Sequence, residues 1–164
     1  MSILFTPSEV FEIAIEIERN GASFYRKAAS STSDSQARSE LLELAAMEDG
    51  HEVTFTELKR DLVGDGGNIE WFDSASEAAM YLQNFASGQV FDMTQDPLTA
   101  ASRPLPEILR FALERERDSV VFFVGMQELM PAGPGRTKVE AIIKQEMGHI
   151  SLLGKRYQQA MGLA

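Results

Sequence analysis

The chain holds two histidines, and each follows a glutamate by three residues: Glu48 and His51 in "AAMEDGHEVTF", Glu146 and His149 in "KQEMGHISLL". Residues three apart share one face of a helix, about 4.5 Å apart along its axis. A carboxylate so placed can bridge two cations while its histidine binds one of them. Both pairs interrupt apolar stripes. Leu41, Leu44, Glu48, His51, Phe55 and Leu58 follow one another at steps of three and four, as do Val139, Ile142, Glu146, His149 and Leu153. A charged group on a solvated face says little, whereas one on a buried stripe demands a partner.

Two further glutamates satisfy the same test. Glu18 lies on the apolar stripe Phe11, Ala14, Gly21, Tyr25, Ala28, while Glu16 shares the polar face of Glu9, Glu12 and Arg19. Glu116 lies with Leu109, Ala112, Ser119, Phe123 and Met126, while Glu114 goes with Glu107, Arg117 and Asp118. Glu48 follows Glu18 by 30 residues and Glu146 follows Glu116 by 30, which predicts one common depth in a bundle. Four bare carboxylates there repel one another and cost several kcal/mol each to desolvate, so either they hold protons or cations sit among them. Two divalent ions balance four negative charges. Carboxylate with neutral imidazole suits iron or manganese, with zinc as another occupant.

The elements that must position these side chains are long amphipathic helices, predicted over residues 7–30, 34–63, 104–130 and 137–161. Thr6, Pro7 and Glu9 form a capping box at the first start, and Ser33 with Gln36 offers a second. "GDGG" at 64–67 and "PAGPG" at 131–135 are expected to stop the second helix and separate the last two. Short connections make each pair an antiparallel hairpin. The crossover, 64–103, contains a predicted short helix over 75–86, and Trp71 is expected to anchor this segment. Met80, Tyr81, Phe85 and Phe91 are expected either to cover the bundle end or to meet another subunit. The whole chain, 1–164, reads as one all-α domain: a four-helix bundle of two hairpins and one long crossover. "AIEIERNGASFY" aligns without gaps on "ALERERDSVVFF" and "MEDGH" on "QEMGH" at the same offset of 98, so the halves look like copies. Gly50 and Gly148 before the histidines mark either close helix approach or that shared descent.

At 164 residues the chain can bury about 70% of its unfolded surface and needs no staple. Cysteine is absent, which removes disulfides, thiolate metal sites and cysteine nucleophiles. With 15 Lys and Arg against 25 Asp and Glu the net charge is −10, which repels nucleic acid and anionic lipid and favours cations. Neither a signal peptide nor a membrane span is evident, so a cytoplasmic location is expected.

Two Glu-x-x-His motifs plus two single glutamates resemble the ferritin-like di-iron carboxylate proteins, and within them the rubrerythrin-like branch, over all four long helices. Ordinary ferritins have only one such motif. The resemblance implies that Glu18, Glu48, His51, Glu116, Glu146 and His149 are ligands of two iron ions. It further implies a centre that reacts with hydrogen peroxide or dioxygen in oxidative-stress defence, or one that binds and delivers iron without sustained turnover. Such bundles are often homodimers or larger. Rubrerythrin proper carries a cysteine-bound iron domain that this chain lacks, so an external electron donor is implied. The extra glutamate that the resemblance leads one to expect about one turn after Glu116 is missing, since Ser119 and Val120 stand there. The aromatic pair two turns after the single glutamates is Tyr25 and Phe123, so only Tyr25 offers a hydroxyl, a candidate partner for a ligand carboxylate.

Overall fold

The computed structural model describes residues 6–64, 72–73, 75–87 and 103–163. Five helices and no strand occur among them: α1 (Pro7–Ser31), α2 (Ser35–Leu62), α3 (Glu77–Ser87), α4 (Leu105–Leu129) and α5 (Pro134–Ala160). Helices α1 and α2 form one antiparallel hairpin and α4 with α5 the other. The hairpins meet α1 on α4 and α2 on α5. No described helix is long and apolar enough to cross a membrane.

The helix starts have local causes. Thr6 Oγ1 accepts the Glu9 N–H at 3.2 Å, and Glu9 Oε2 accepts the Thr6 N–H at 2.8 Å, the reciprocal box expected there. The second cap differs from expectation. Asp34, not Ser33, caps α2, its Oδ1 accepting the N–H groups of Gln36 at 3.0 Å and Ala37 at 2.9 Å. An ionised carboxylate serves two orphan donors and the positive helix end at once, which a hydroxyl cannot match. The Ala37 N–H accordingly holds the Asp34 carboxyl below its ordinary pKa. Arg38 closes the turn by donating to the carbonyls of Ala29 and Thr32.

Beyond the end of α2 and its cap Val63, Gly64 has a φ of +54°, the left-handed conformation glycine adopts without strain. Helix α5 begins three residues before the expected position. Gly133, at φ +152°, turns the chain, and Pro134 enters as the first helical residue, where its missing N–H costs nothing.

Helix α3 packs on α4, burying Ala79 and Leu82. A Cβ on Gly125 would lie 2.8 Å from Leu82 Cδ2, so the bare backbone of α4 lets α3 sit close. Met80 and Tyr81 remain exposed, and the Phe85 ring lies tilted 6.2 Å from that of Phe122. Trp71 and Phe91 lie outside the described residues.

The core is two apolar slabs. One joins Phe11, Ala14, Phe55, Phe123, Met126 and Ile142; the other joins Tyr25, Leu41, Leu44, Leu109, Ala112 and Leu153. On every long helix a glutamate stands between the residues of one slab and those of the other. Ion pairs Glu12–Lys59, Arg19–Glu52 and Arg26–Asp49 run along the α1/α2 seam. Exposed to solvent, they serve register more than stability. Phe55 is fully buried with its ring centroid 4.9 Å from that of Phe123. Phe55→Ala is therefore expected to lower the unfolding free energy by about 3–5 kcal/mol, as measured by urea denaturation.

Candidate metal centre

All six predicted residues converge between the slabs, each at most 5% exposed. Antiparallel pairing brings Glu18 of α1 level with the pair on α2, and Glu116 of α4 level with the pair on α5. Gly21, on the inward stripe of α1, faces Glu48: a Cβ there would stand 3.4 Å from Glu48 Cγ, ordinary van der Waals contact.

The two Glu-x-x-His carboxylates each span both imidazoles. Glu146 places Oε1 2.7 Å from His51 Nδ1 and Oε2 3.3 Å from His149 Nδ1. Glu48 places Oε2 3.5 Å from His51 Nδ1 and Oε1 3.1 Å from His149 Nδ1. The single glutamates are terminal: Glu18 Oε2 is 3.4 Å from His51 Nδ1, and Glu116 Oε1 is 3.5 Å from His149 Nδ1. The rings stack at 5.9 Å with 21° between their planes.

Two overlapping sets result, Glu18–Glu48–His51–Glu146 and Glu48–Glu116–Glu146–His149, with ligand atoms within 4.8 Å of one another in each. These distances are short, yet the groups are not paired as hydrogen bonds. Nδ1 of both rings and one oxygen each of Glu18, Glu48, Glu116 and Glu146 are buried without an aligned partner. Each such orphan costs about 1–3 kcal/mol in a purely protein environment. Lone pairs that converge on a common space rather than on one another fit a cation better than they fit a proton. The all-oxygen-and-imidazole donor set suits divalent iron, manganese or zinc.

The electrostatics agree. Burial, reinforced by neighbouring carboxylates, raises Glu18 and Glu116 well above the ordinary carboxylate range. Burial also opposes ionisation of Glu48 and Glu146, but Glu18 and the imidazoles beside Glu48, and Glu116 and the imidazoles beside Glu146, outweigh it and hold both low. Burial works against charge on the imidazoles too, yet the carboxylates around them prevail. His51 is raised strongly, with Glu146 as the main cause, and His149 is pushed up to about 12, with Glu116 as the main cause. Without metal, then, protons on His51, His149, Glu18 and Glu116 supply the charge balance that two divalent cations would supply.

Around the six lie contacts of two kinds. Tyr25, buried on α1, donates its hydroxyl to Glu116 Oε1 across the bundle, as the lone hydroxyl of the aromatic pair suggested. Burial, then the charge of Glu116, raises its pKa, so the phenol keeps its proton. Phe123, its repeat counterpart, packs on Phe55. Ser119 donates its hydroxyl to the Arg115 carbonyl and brings no carboxylate. Gln145 was not singled out from the sequence, yet its Oε1 lies 2.7 Å from His51 Nε2. Its position directly before Glu146, where the other half has Met47, was the available signal. A groove of about 570 Å³ between α2 and α5, lined by Met47, Gly50, Thr54, Ala141 and Gln145, reaches His51. A Cβ on Gly50 or Gly148 would meet nothing within 4 Å, so neither glycine serves close helix packing.

No family model matches the sequence, and no curated protein matches it either. Among solved structures, a Thermotoga maritima protein provisionally described as a ferritin-like diiron-carboxylate protein superimposes with a TM-score of 0.71. The match covers 95% of this chain and 97% of that one at 21% identity. The chain has the ferritin-like fold.

Metal binding must displace the protons on His51, His149, Glu18 and Glu116. Apparent affinity is therefore expected to rise with pH wherever these groups still hold their protons, by about tenfold per pH unit for each proton released. Calorimetric titration with a divalent cation in two buffers of different ionisation enthalpy measures the release. Uptake without proton release would contradict this charge balance.

Proposed function

From the ferritin-like fold and its buried cluster, we propose that this chain is a rubrerythrin-like non-haem di-iron oxidoreductase that reduces hydrogen peroxide or dioxygen in the cytoplasm. The observation that carries the reading is the pair of carboxylates, Glu48 and Glu146, each facing both imidazoles. Glu18 and His51 would hold one ion and Glu116 and His149 the other, with Glu48 and Glu146 common to both sets. Two ferrous ions, when bound, supply the two electrons that convert peroxide and two protons into two waters, and an external donor restores them.

The chain's own residues do the rest. The slabs above and below the carboxylate layer keep bulk water from the centre. The groove between α2 and α5 admits a small oxidant on the His51 side. Tyr25 holds its proton at Oη and donates it to Glu116 Oε1, fixing one carboxylate oxygen while the other remains without a partner. These 164 residues contain no cysteine, so no thiolate among them relays electrons to the centre.

A second reading is iron sequestration or delivery at the same site without sustained turnover. It is favoured by Ser119, which stands where the peroxidase branch is expected to place another carboxylate and is turned to its own helix backbone.

Anaerobic loading with ferrous ion followed by peroxide is expected to give near-ultraviolet ferric absorption, with two irons per chain. Glu48→Ala, which removes a carboxylate common to both ligand sets, should abolish the absorption and lower bound iron to one or none. With excess reductant, peroxide consumption continues for an oxidoreductase and stops after one burst per iron load for a carrier. A Glu48→Ala protein that keeps its iron and its absorption would refute the site for both readings.

A further inference from the structure

The six ligands obey the internal repeat, but their outer contacts do not. His51 Nε2 donates to Gln145 Oε1 at 2.7 Å. His149, its counterpart 98 residues on, has a buried Nε2 with no partner. The residue corresponding to Gln145 is Met47, whose thioether is at best a weak acceptor. The carboxylates differ the opposite way. Glu116 accepts a hydrogen bond from Tyr25, whereas the counterpart of Tyr25 is Phe123, which offers Glu18 no hydroxyl.

Both differences act in one direction. An acceptor on the far nitrogen holds the remaining imidazole proton at Nε2, leaves the Nδ1 lone pair toward the cluster and raises its basicity. A donor on a carboxylate oxygen withdraws electron density and competes with a cation for that oxygen. The set Glu18–Glu48–His51–Glu146 thus has a strengthened histidine and an unencumbered terminal glutamate. The set Glu48–Glu116–Glu146–His149 has an unsupported histidine and a terminal glutamate already engaged. Resting on the metal-site reading above, we infer that the two cation positions are unequal, that the first ion enters on the His51 side, and that Gln145 is the positioning residue that makes this so.

Gln145 is exposed on the wall of the groove, so its replacement is compatible with the fold. The test is titration of the full chain with cobalt(II), followed by calorimetry and by visible absorption, with circular dichroism confirming unchanged helicity. The unmutated chain should bind two ions in resolved steps. Gln145→Leu should weaken the tighter step by about 10- to 100-fold and leave the weaker one in place, so that the steps merge. Gln145→Glu, which keeps an acceptor at that place, should restore the separation, and Tyr25→Phe should tighten only the weaker step. Equal constants in the unmutated chain, or a Gln145→Leu protein with both constants unchanged or both reduced alike, would overturn the inference while leaving the metal site standing. A chain that takes up no cobalt, iron or zinc would overturn the metal site and this inference together.

Discussion

Four carboxylates and two imidazoles share one layer in the middle of an apolar bundle, and most of the architecture answers to that. Moving such charges out of water costs several kcal/mol apiece unless opposite charge accompanies them. Protons can supply it, as the raised Glu18, Glu116, His51 and His149 indicate, but the orphaned lone pairs show that protons alone leave the layer poorly satisfied. The stability of the layer is therefore linked to whatever cation occupies it.

The rest of the molecule supplies what this layer needs. Apolar slabs on both sides hold the helices together where the layer itself cannot, with Phe55 against Phe123 on one side and Leu41, Leu44, Leu109 and Ala112 on the other. The long helices give each glutamate buried neighbours in both directions. Arg19–Glu52 and the other ion pairs of the α1/α2 seam keep the hairpin from slipping, which matters because a shift of one residue would turn Glu18 away from Glu48.

The two halves show how a repeated unit diverges under this constraint. The buried glutamates and histidine are the same in both, since losing any one would strand a buried charge. The outer contacts carry no such penalty and differ: Tyr25 against Phe123, Gln145 against Met47, Gly21 against Ser119. A pseudo-symmetric cage with asymmetric supports can hold two chemically distinct ions.

The inward faces, the four long helices, the hairpin pairing and the common depth of the glutamates were determined by the sequence itself, because helical periodicity maps spacing onto faces and equal separations map onto equal heights. Local competition was harder to read. Asp34 won the α2 cap over Ser33 because charge favours it at a helix end, and Pro134 began α5 early because a proline loses no hydrogen bond in the first helical turn, although the same residue reads equally as linker. Tertiary structure alone decided which oxygen faces which ring, that Gln145 reaches across from α5 to His51 on α2, and that a groove opens beside them. Those depend on distances between helices far apart in the chain, which residue spacing within one helix does not encode.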